Sequence, residues 1–328
     1  MNKILIPTFF SNYGGSVFVL LKSREVLKKE FDVVLKAPLK EADLNNFSIP
    51  ATINKKEQLK LLPKLVIHFF KELFWIKKNK IDIIYVHDFP ALYIYGIIAK
   101  LLNIKLVWHV HIGEIKKIKR KINFILSYKR IYIAKFQIYK NDKNYCFIPN
   151  YVENLEIDKK IDKIQNIVIA SSICNNKNQK FGIEVIKKTN KKLFLYGGIL
   201  EKDYFENLEI DNRQIFYKGF EDKKRIFKFS DLVFMPSKEE SWGLTFLEAL
   251  ANRVPVLVPN IVAFRELAKK INYEKYLYEN DNIKDCLAKM ELLENMNDKE
   301  LERIQSEVIE NFSLEKFKQN LLGCFNNV

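Results

Sequence analysis

The chain has 328 residues, enough for two domains with cores of their own, and its 48% hydrophobic and 29% charged residues belong to a folded globular protein, not a disordered one. Net charge is +15 and lies unevenly: residues 1–150 hold 27 basic and 11 acidic groups (+16), whereas 151–328 hold 28 and 29 (−1). Genome-wide lysine bias would touch both halves, so an excess confined to one half points to an anionic partner: nucleic acid, acidic lipid or a phosphate ligand.

The opening "MNKILIPTFFSNYGG" has an apolar run too short for a secretory signal. Within it "KILIPTFF" predicts a strand, and Gly14-Gly15 opens a helix from about Ser16 to Lys29. "FDVVLKAP" is the next strand. Then come "LLPKLVIHFFKELFWIKKNK" as helix, "IDIIYVHD" as strand, "FPALYIYGIIAKLLN" as helix and "IKLVWHVH" as strand. Lys100 interrupts the most apolar of these, which is too short to span a bilayer. "RIYIAK" and "NYCFIP" complete the first half. The runs are β-branched, continuous and separated by helices, the pattern of a parallel sheet covered on both faces.

A polar stretch near residues 150–165 predicts a linker, after which the alternation restarts. "NIVIASS", "KLFLYGG", "QIFYKGF", "DLVFMPS", "VPVLVPN" and "KYLYEN" predict strands with helices between them, and the last stretch is helical. The chain therefore predicts an α/β protein of two doubly wound, Rossmann-like domains, 1–155 and 156–328, with a cleft between them and the final helix able to pack back on the first. In such sheets ligands bind at the carboxyl ends of the strands. The four cysteines form no CxxC pair and the four histidines no HExxH, so neither a disulfide framework nor a structural zinc site is expected, and a reducing cytoplasm fits.

"SKEESWGLTFLEALANRVPVLVPN", residues 237–260, carries the chemistry. Glu240 falls in a loop at a strand's carboxyl end, and Glu248 falls inside an apolar helix, where a carboxylate is costly unless it has partners. The helix-start amides near Trp242, Gly243 and Leu244 attract anions. Pro236-Ser237, Glu240, Gly243, Glu248-Ala249 and Pro255-Val256 together resemble the E-x7-E signature of the family 4 retaining glycosyltransferases, which have the GT-B fold. Gly14-Gly15 looks like the family's N-terminal glycine turn. "HDFPALYIYGIIAKLLNIKLVWHVH" looks like its His-Asp turn, helix and strand, with His111 in the place of the histidine that faces the donor sugar. "IPNYVE" is similar to its hinge motif. "SSICNNKNQKFGIEVIKK" is similar to its Arg-x4-Lys phosphate motif, with Lys177 as the lysine and Ser172 where arginine is usual.

The resemblance implies transfer of a sugar from a nucleoside-diphosphate sugar to a glycan or lipid-linked acceptor, with retained anomeric configuration. Glu240, His111 and Lys177 would be catalytic. Gly14, Gly15, Ser172, Lys177, Trp242, Gly243, Leu244 and Glu248 would bind the donor, Glu248 through the ribose hydroxyls. No metal and no cofactor are implied, and no Asp-x-Asp ligand pair is present. Ser172 offers one hydrogen bond where arginine would offer a charged fork, so another cation substitutes or leaving-group stabilisation is weaker.

In the basic half, apolar pairs recur at Leu61-Leu62, Leu65-Val66, Phe69-Phe70 and Leu73-Phe74, beside Lys64, Lys71, Lys77 and Lys78. "EIKKIKRKINFILSYKR" sets Ile115, Ile118, Ile122 and Ile125 against five consecutive-range basic residues, Lys116 to Lys121. Both stripes serve either as core faces or as an interfacial surface for acidic lipid, the second reading placing a cytoplasmic protein on the inner face of the membrane. No RRM, KH or helix-turn-helix pattern appears, so a nucleic-acid partner is not expected. The competing functions are a basic binding protein without transferase activity, and a GT-B epimerase or hydrolase.

Overall fold

Lys3–Pro7 (β1) and Asp32–Lys36 (β2) flank the helix Gly15–Leu27 (α1). After Lys55–Lys78 (α2) come Ile83–Val86 (β3), Phe89–Leu102 (α3), Lys105–Val110 (β4), Lys117–Leu126 (α4), Lys129–Tyr132 (β5) and Tyr145–Phe147 (β6). The strands form one parallel sheet in the order β2-β1-β3-β4-β5-β6. These are coordinates of a computed structural model that describes residues 1–10, 14–49, 55–113, 117–155, 157 and 163–328, except the side chains of 55–59 and 117–120. Part of the expected linker, 156 and 158–162, lies outside the described residues.

A second parallel sheet has the order β12-β11-β10-β7-β8-β9. Its strands are Asn166–Ala170 (β7), Lys192–Tyr196 (β8), Ile215–Gly219 (β9), Leu232–Phe234 (β10), Val256–Pro259 (β11) and Leu277–Tyr278 (β12). The intervening helices are Gln179–Ile186 (α5), Lys202–Glu206 (α6), Lys223–Phe229 (α7), Leu244–Ala251 (α8) and Val262–Lys270 (α9). Ile283–Glu294 (α10), Asp298–Asn311 (α11) and Leu314–Asn326 (α12) close the chain. Two compact units result, Met1–Asn150 with Phe317–Val328, and Tyr151–Lys316. Strand order in both sheets reverses at an inner strand, as in doubly wound folds.

Local chemistry fixes the elements of the first unit. Asp88 caps α3: its Oδ1 accepts the Ala91 amide at 2.7 Å, and its Oδ2 accepts the Thr8 hydroxyl at 2.6 Å, tying β1 to the end of β3. Asn103, in the left-handed region (φ 55°), ends that helix. Ile4, Leu5, Ile84 and Val86 are fully buried, as continuous apolar strands in a covered parallel sheet must be; each such side chain contributes about 1.5–3 kcal/mol.

The C-terminal helix completes this core. Phe325 packs edge-on against Tyr85 (4.9 Å) and Phe31 (6.2 Å), and Lys129 donates to the Cys324 and Asn327 carbonyls at the helix end, at 3.4 and 2.9 Å. One expectation is corrected here: Cys146 on β6 and Cys324 on α12 are disulfide-bonded, with Cα atoms 6.2 Å apart. Spacing along the chain could not show it, because 178 residues separate the two and only the fold makes them neighbours. Cys174 and Cys286 are free and buried. Among the described residues no helix is long and apolar enough to cross a membrane.

Candidate functional site

In the second unit the loop between β10 and α8 is fastened to the turn that follows β7. The Lys238 amide donates to the Asn176 carbonyl (2.9 Å), Asn176 Nδ2 donates to the Glu239 carbonyl (3.1 Å), and Lys238 Nζ donates to Asn175 Oδ1 (2.7 Å). These bonds bring Lys177 to Glu240: its Nζ donates to Oε2 at 2.6 Å, both side chains being largely shielded from water. The loop ends at Gly243, whose φ of +94° belongs to the left-handed region. A Cβ there would lie 2.7 Å from the Phe264 ring, so only glycine fits.

Helix α8 follows with Phe246, Leu247, Ala249 and Leu250 wholly buried, and Glu248 is buried among them. An unpaired carboxylate in that position would cost several kcal/mol. Lys223, the first residue of α7, supplies the partner: its Nζ donates to Glu248 Oε1 at 2.5 Å and is itself half-exposed. Burial raises the Glu248 carboxyl above its ordinary pKa, Lys223 opposes that rise, and Glu153 adds to it. Asn252 anchors the helix end, donating to the Glu248 carbonyl (2.7 Å) and accepting the Leu155 amide (2.8 Å).

The glycine after β8 is required by geometry as well. Gly197 has φ +135°, and a Cβ would fall 2.1 Å from the Ser171 carbonyl oxygen. Ser172 is exposed, and its carbonyl accepts Gln179 Nε2 at 2.9 Å. Trp242 is buried against Phe312 (5.6 Å, edge-on), with its indole Nε1 lacking a partner. Lys177, Glu240 and Lys223 thus stand just beyond the carboxyl ends of β7, β10 and β9, where sheets of this kind bind ligands. The arrangement offers two carboxylates, each with an ammonium partner, and a phosphate could draw away that of Glu240.

The first unit holds the other candidates. Gly14 caps α1 in extended backbone (φ −151°), with nothing within 4 Å of a Cβ position. Gly14 is therefore not required by backbone strain, and Gly15 is the first residue of the helix. His111, itself half-buried, belongs to a cluster with the buried His87 and His109. Its Nε2 is hydrogen-bonded to His87 Nδ1 (2.8 Å), its ring stacks on His109 (4.3 Å), and His109 Nδ1 is hydrogen-bonded to Tyr85 Oη (2.6 Å). Burial pushes His111 down to about 3 and holds His87 and His109 well below the usual histidine value, so all three are neutral.

Among the described residues these histidines are the one group of side chains close enough to hold a metal ion, with ligand atoms within 4.8 Å of one another. His87 Nε2 and His109 Nε2 have no partner. The His87 and His109 rings nevertheless lie within 18° and 25° of parallel to His111, and one nitrogen pair is already hydrogen-bonded, so a tetrahedral site would require the rings to turn.

Sequence reasoning missed Lys223, and placed His87 in the His-Asp turn without a partner or a role. Glu248 inside an apolar helix was the one signal that a cation had to exist. Nothing in the spacing said which.

Residues 152–310 match the family described as Glycosyl transferases group 1. A 41.2 kDa protein in the cps region of Klebsiella pneumoniae is 26% identical over 240 residues, 58% of this chain and 64% of that one. The O-antigen biosynthesis glycosyltransferase WclY of Escherichia coli is 26% identical over 218 residues, 62% of this chain and 60% of its own. The alignments thus span less than two thirds of both relatives. Among solved structures, HepE of Anabaena in complex with UDP and glucose superposes with a TM-score of 0.77 at 17% identity, covering 100% of both chains. Fold and matches together define the class: a GT-B chain homologous to glycosyltransferases, whose second unit carries the group 1 segment.

Proposed function

We propose that the chain is a retaining glycosyltransferase of the family 4 type, moving a sugar from a nucleoside-diphosphate sugar to a glycan acceptor, without a metal ion. The observation that carries this reading is the pairing of Lys177 with Glu240 at the head of the loop that leads to the buried Glu248. Glu248 accepts the ribose hydroxyls. On donor binding the Lys177 ammonium passes from Glu240 to the diphosphate, and Glu240 is released to the hydroxyls of the sugar. The Leu244 amide at the start of α8 adds a fixed donor for the departing charge, and preorganised donors of this kind contribute about 3–4 kcal/mol each. Lys238, held beside the same turn, is the cation that offsets Ser172.

Neutral His111 acts as a hydrogen-bonding group toward the sugar, not as a charge. The O-antigen relative supports a cell-surface polysaccharide precursor as acceptor, and the basic first half supports a lipid-linked form of it. UDP in the HepE complex makes uridine diphosphate the first nucleotide to test.

A thermal-shift panel of nucleoside diphosphates tests the donor reading, because a ligand that binds only the folded state raises the melting temperature. One nucleotide is expected to raise it, and the corresponding nucleotide sugar is expected to turn over with retained configuration in the presence of EDTA. No shift from any nucleotide, or activity abolished by EDTA and restored by a divalent cation, contradicts the proposal.

A further inference from the structure

The apolar doublets of α2 separate into two rows. Leu61, Leu65, Phe69 and Leu73 are half-buried toward the sheet, where Phe69 and Leu73 pack on the core. Leu62, Val66, Phe70 and Phe74, four residues apart, face outward with Ile67, and Phe74 is 69% exposed. A helix turning 100° per residue places Lys60, Lys64, Lys71 and Lys78 together along one edge of that outward row, all exposed.

The neighbouring helices continue the pattern. Helix α3 packs against both α2 and α4, and Gly96 lets Leu126 of α4 approach so closely that a Cβ would sit 2.8 Å away. On α3, Ile97 and Leu101 are exposed, Leu101 by 64%, beside the exposed Lys100. On α4, Ile122 and Ile125 are exposed, Ile125 by 66%, beside the exposed Lys121. Ile115, Lys116 and the side chains of 117–120 are outside the described residues and add nothing to this count. From Lys60 to Lys78 the sole carboxylate is Glu72, which is buried and bound to Lys36 at 2.5 Å. Helices α3 and α4 have no carboxylate at all.

We propose that this three-helix face of the first unit is a docking surface for an anionic lipid bilayer, with the outward rows entering the interface and the lysines meeting the headgroups. Core packing does not account for it, because these side chains face water while a second row of the same helix serves the core. Isolated exposed apolar residues are ordinary, whereas large ones recurring on three packed helices, with cations and, among the described side chains of these helices, no exposed carboxylate, are complementary to acidic lipid. The inference deepens the proposed acceptor reading, since a protein held there meets lipid-linked acceptors. Its test uses no nucleotide, so failure here leaves the donor reading standing.

The experiment is co-sedimentation of the full chain with vesicles of phosphatidylcholine alone and with about a third phosphatidylglycerol, a composition that sets the surface charge. Binding to the acidic vesicles alone is expected. Lys64→Gln with Lys71→Gln should weaken it about 25-fold, at roughly fivefold per lysine. Phe70→Ser with Phe74→Ser should weaken it at least tenfold. Both double variants should keep the wild-type melting temperature and any nucleotide-induced shift. Equal binding to neutral vesicles, binding unmoved by both variants, or no binding at all overturns the proposal. So does a wild-type dimer that Phe70→Ser with Phe74→Ser converts to monomer, which would make the face a self-interface, or RNA retaining the protein where vesicles do not.

Discussion

Glu248 is held ionised by one half-exposed lysine against a burial that favours its neutral form. Because its folded pKa is raised, protonation begins at a higher pH than for an ordinary carboxylate, and nucleotide binding should be lost as pH falls through that raised value. Lys223→Met removes the opposing cation, so the acid limb of nucleotide binding should move to higher pH while the neutral-pH affinity changes little. Titrations at several pH values read this directly. The same raised pKa stabilises the fold only when the group is protonated, a contribution lost as pH rises through it. Glu248→Gln should therefore leave the melting temperature equal or higher at neutral pH while nucleotide affinity falls about ten- to hundredfold, the range for hydrogen bonds to a charged group. A parallel loss of stability and affinity would instead assign Glu248 a structural role.

Two glycine turns at helix starts separate backbone necessity from ligand approach. At Gly243 the positive φ and the Phe264 ring both exclude a side chain. Gly243→Ala should cost about 1–3 kcal/mol, seen as a lower melting temperature of the second unit. At Gly14 the backbone is extended and the space open, so Gly14→Ala should change stability by less than about 0.5 kcal/mol. If Gly14 serves ligand approach, transfer will fall all the same, and an unchanged rate removes it from the binding set. The strands were legible in the sequence because a covered parallel strand must be continuously apolar. So were the glycine-ended β8 and β9, since positive φ leaves little choice of residue. The doublets of α2 were not: inward and outward rows differ by one residue, and a single wide stripe reads the same whether its outer part meets core or water.

At the scale of the whole molecule, what stayed hidden is what depends on distant residues meeting. Cys146 with Cys324, Lys223 with Glu248, and His87 with His111 are each joined by tertiary packing and not by local spacing. The histidine cluster gives the first unit a predicted acid sensitivity. An unfolded histidine titrates near 6.5, whereas folded His111 does so at about 3, so as pH falls below 6.5 the unfolded chain takes up a proton that the folded chain refuses. Stability should fall by up to about 2 kcal/mol between pH 7 and pH 5 from His111 alone, with His87 and His109 acting in the same direction. Urea unfolding at the two pH values reads the change, and His111→Gln should flatten it. A first unit equally stable at both would show that the cluster is hydrated and protonated.

The central claim is that Lys177, Glu240 and Glu248 bind one nucleotide sugar together, and calorimetric titration of the nucleoside diphosphate selected by the thermal-shift panel tests it most directly. Wild type should bind; Glu248→Gln should lose affinity for the diphosphate and the nucleoside alike. Lys177→Ala should lose affinity for the diphosphate alone, by about ten- to hundredfold. Nucleotide binding of wild-type strength in both variants would contradict the account.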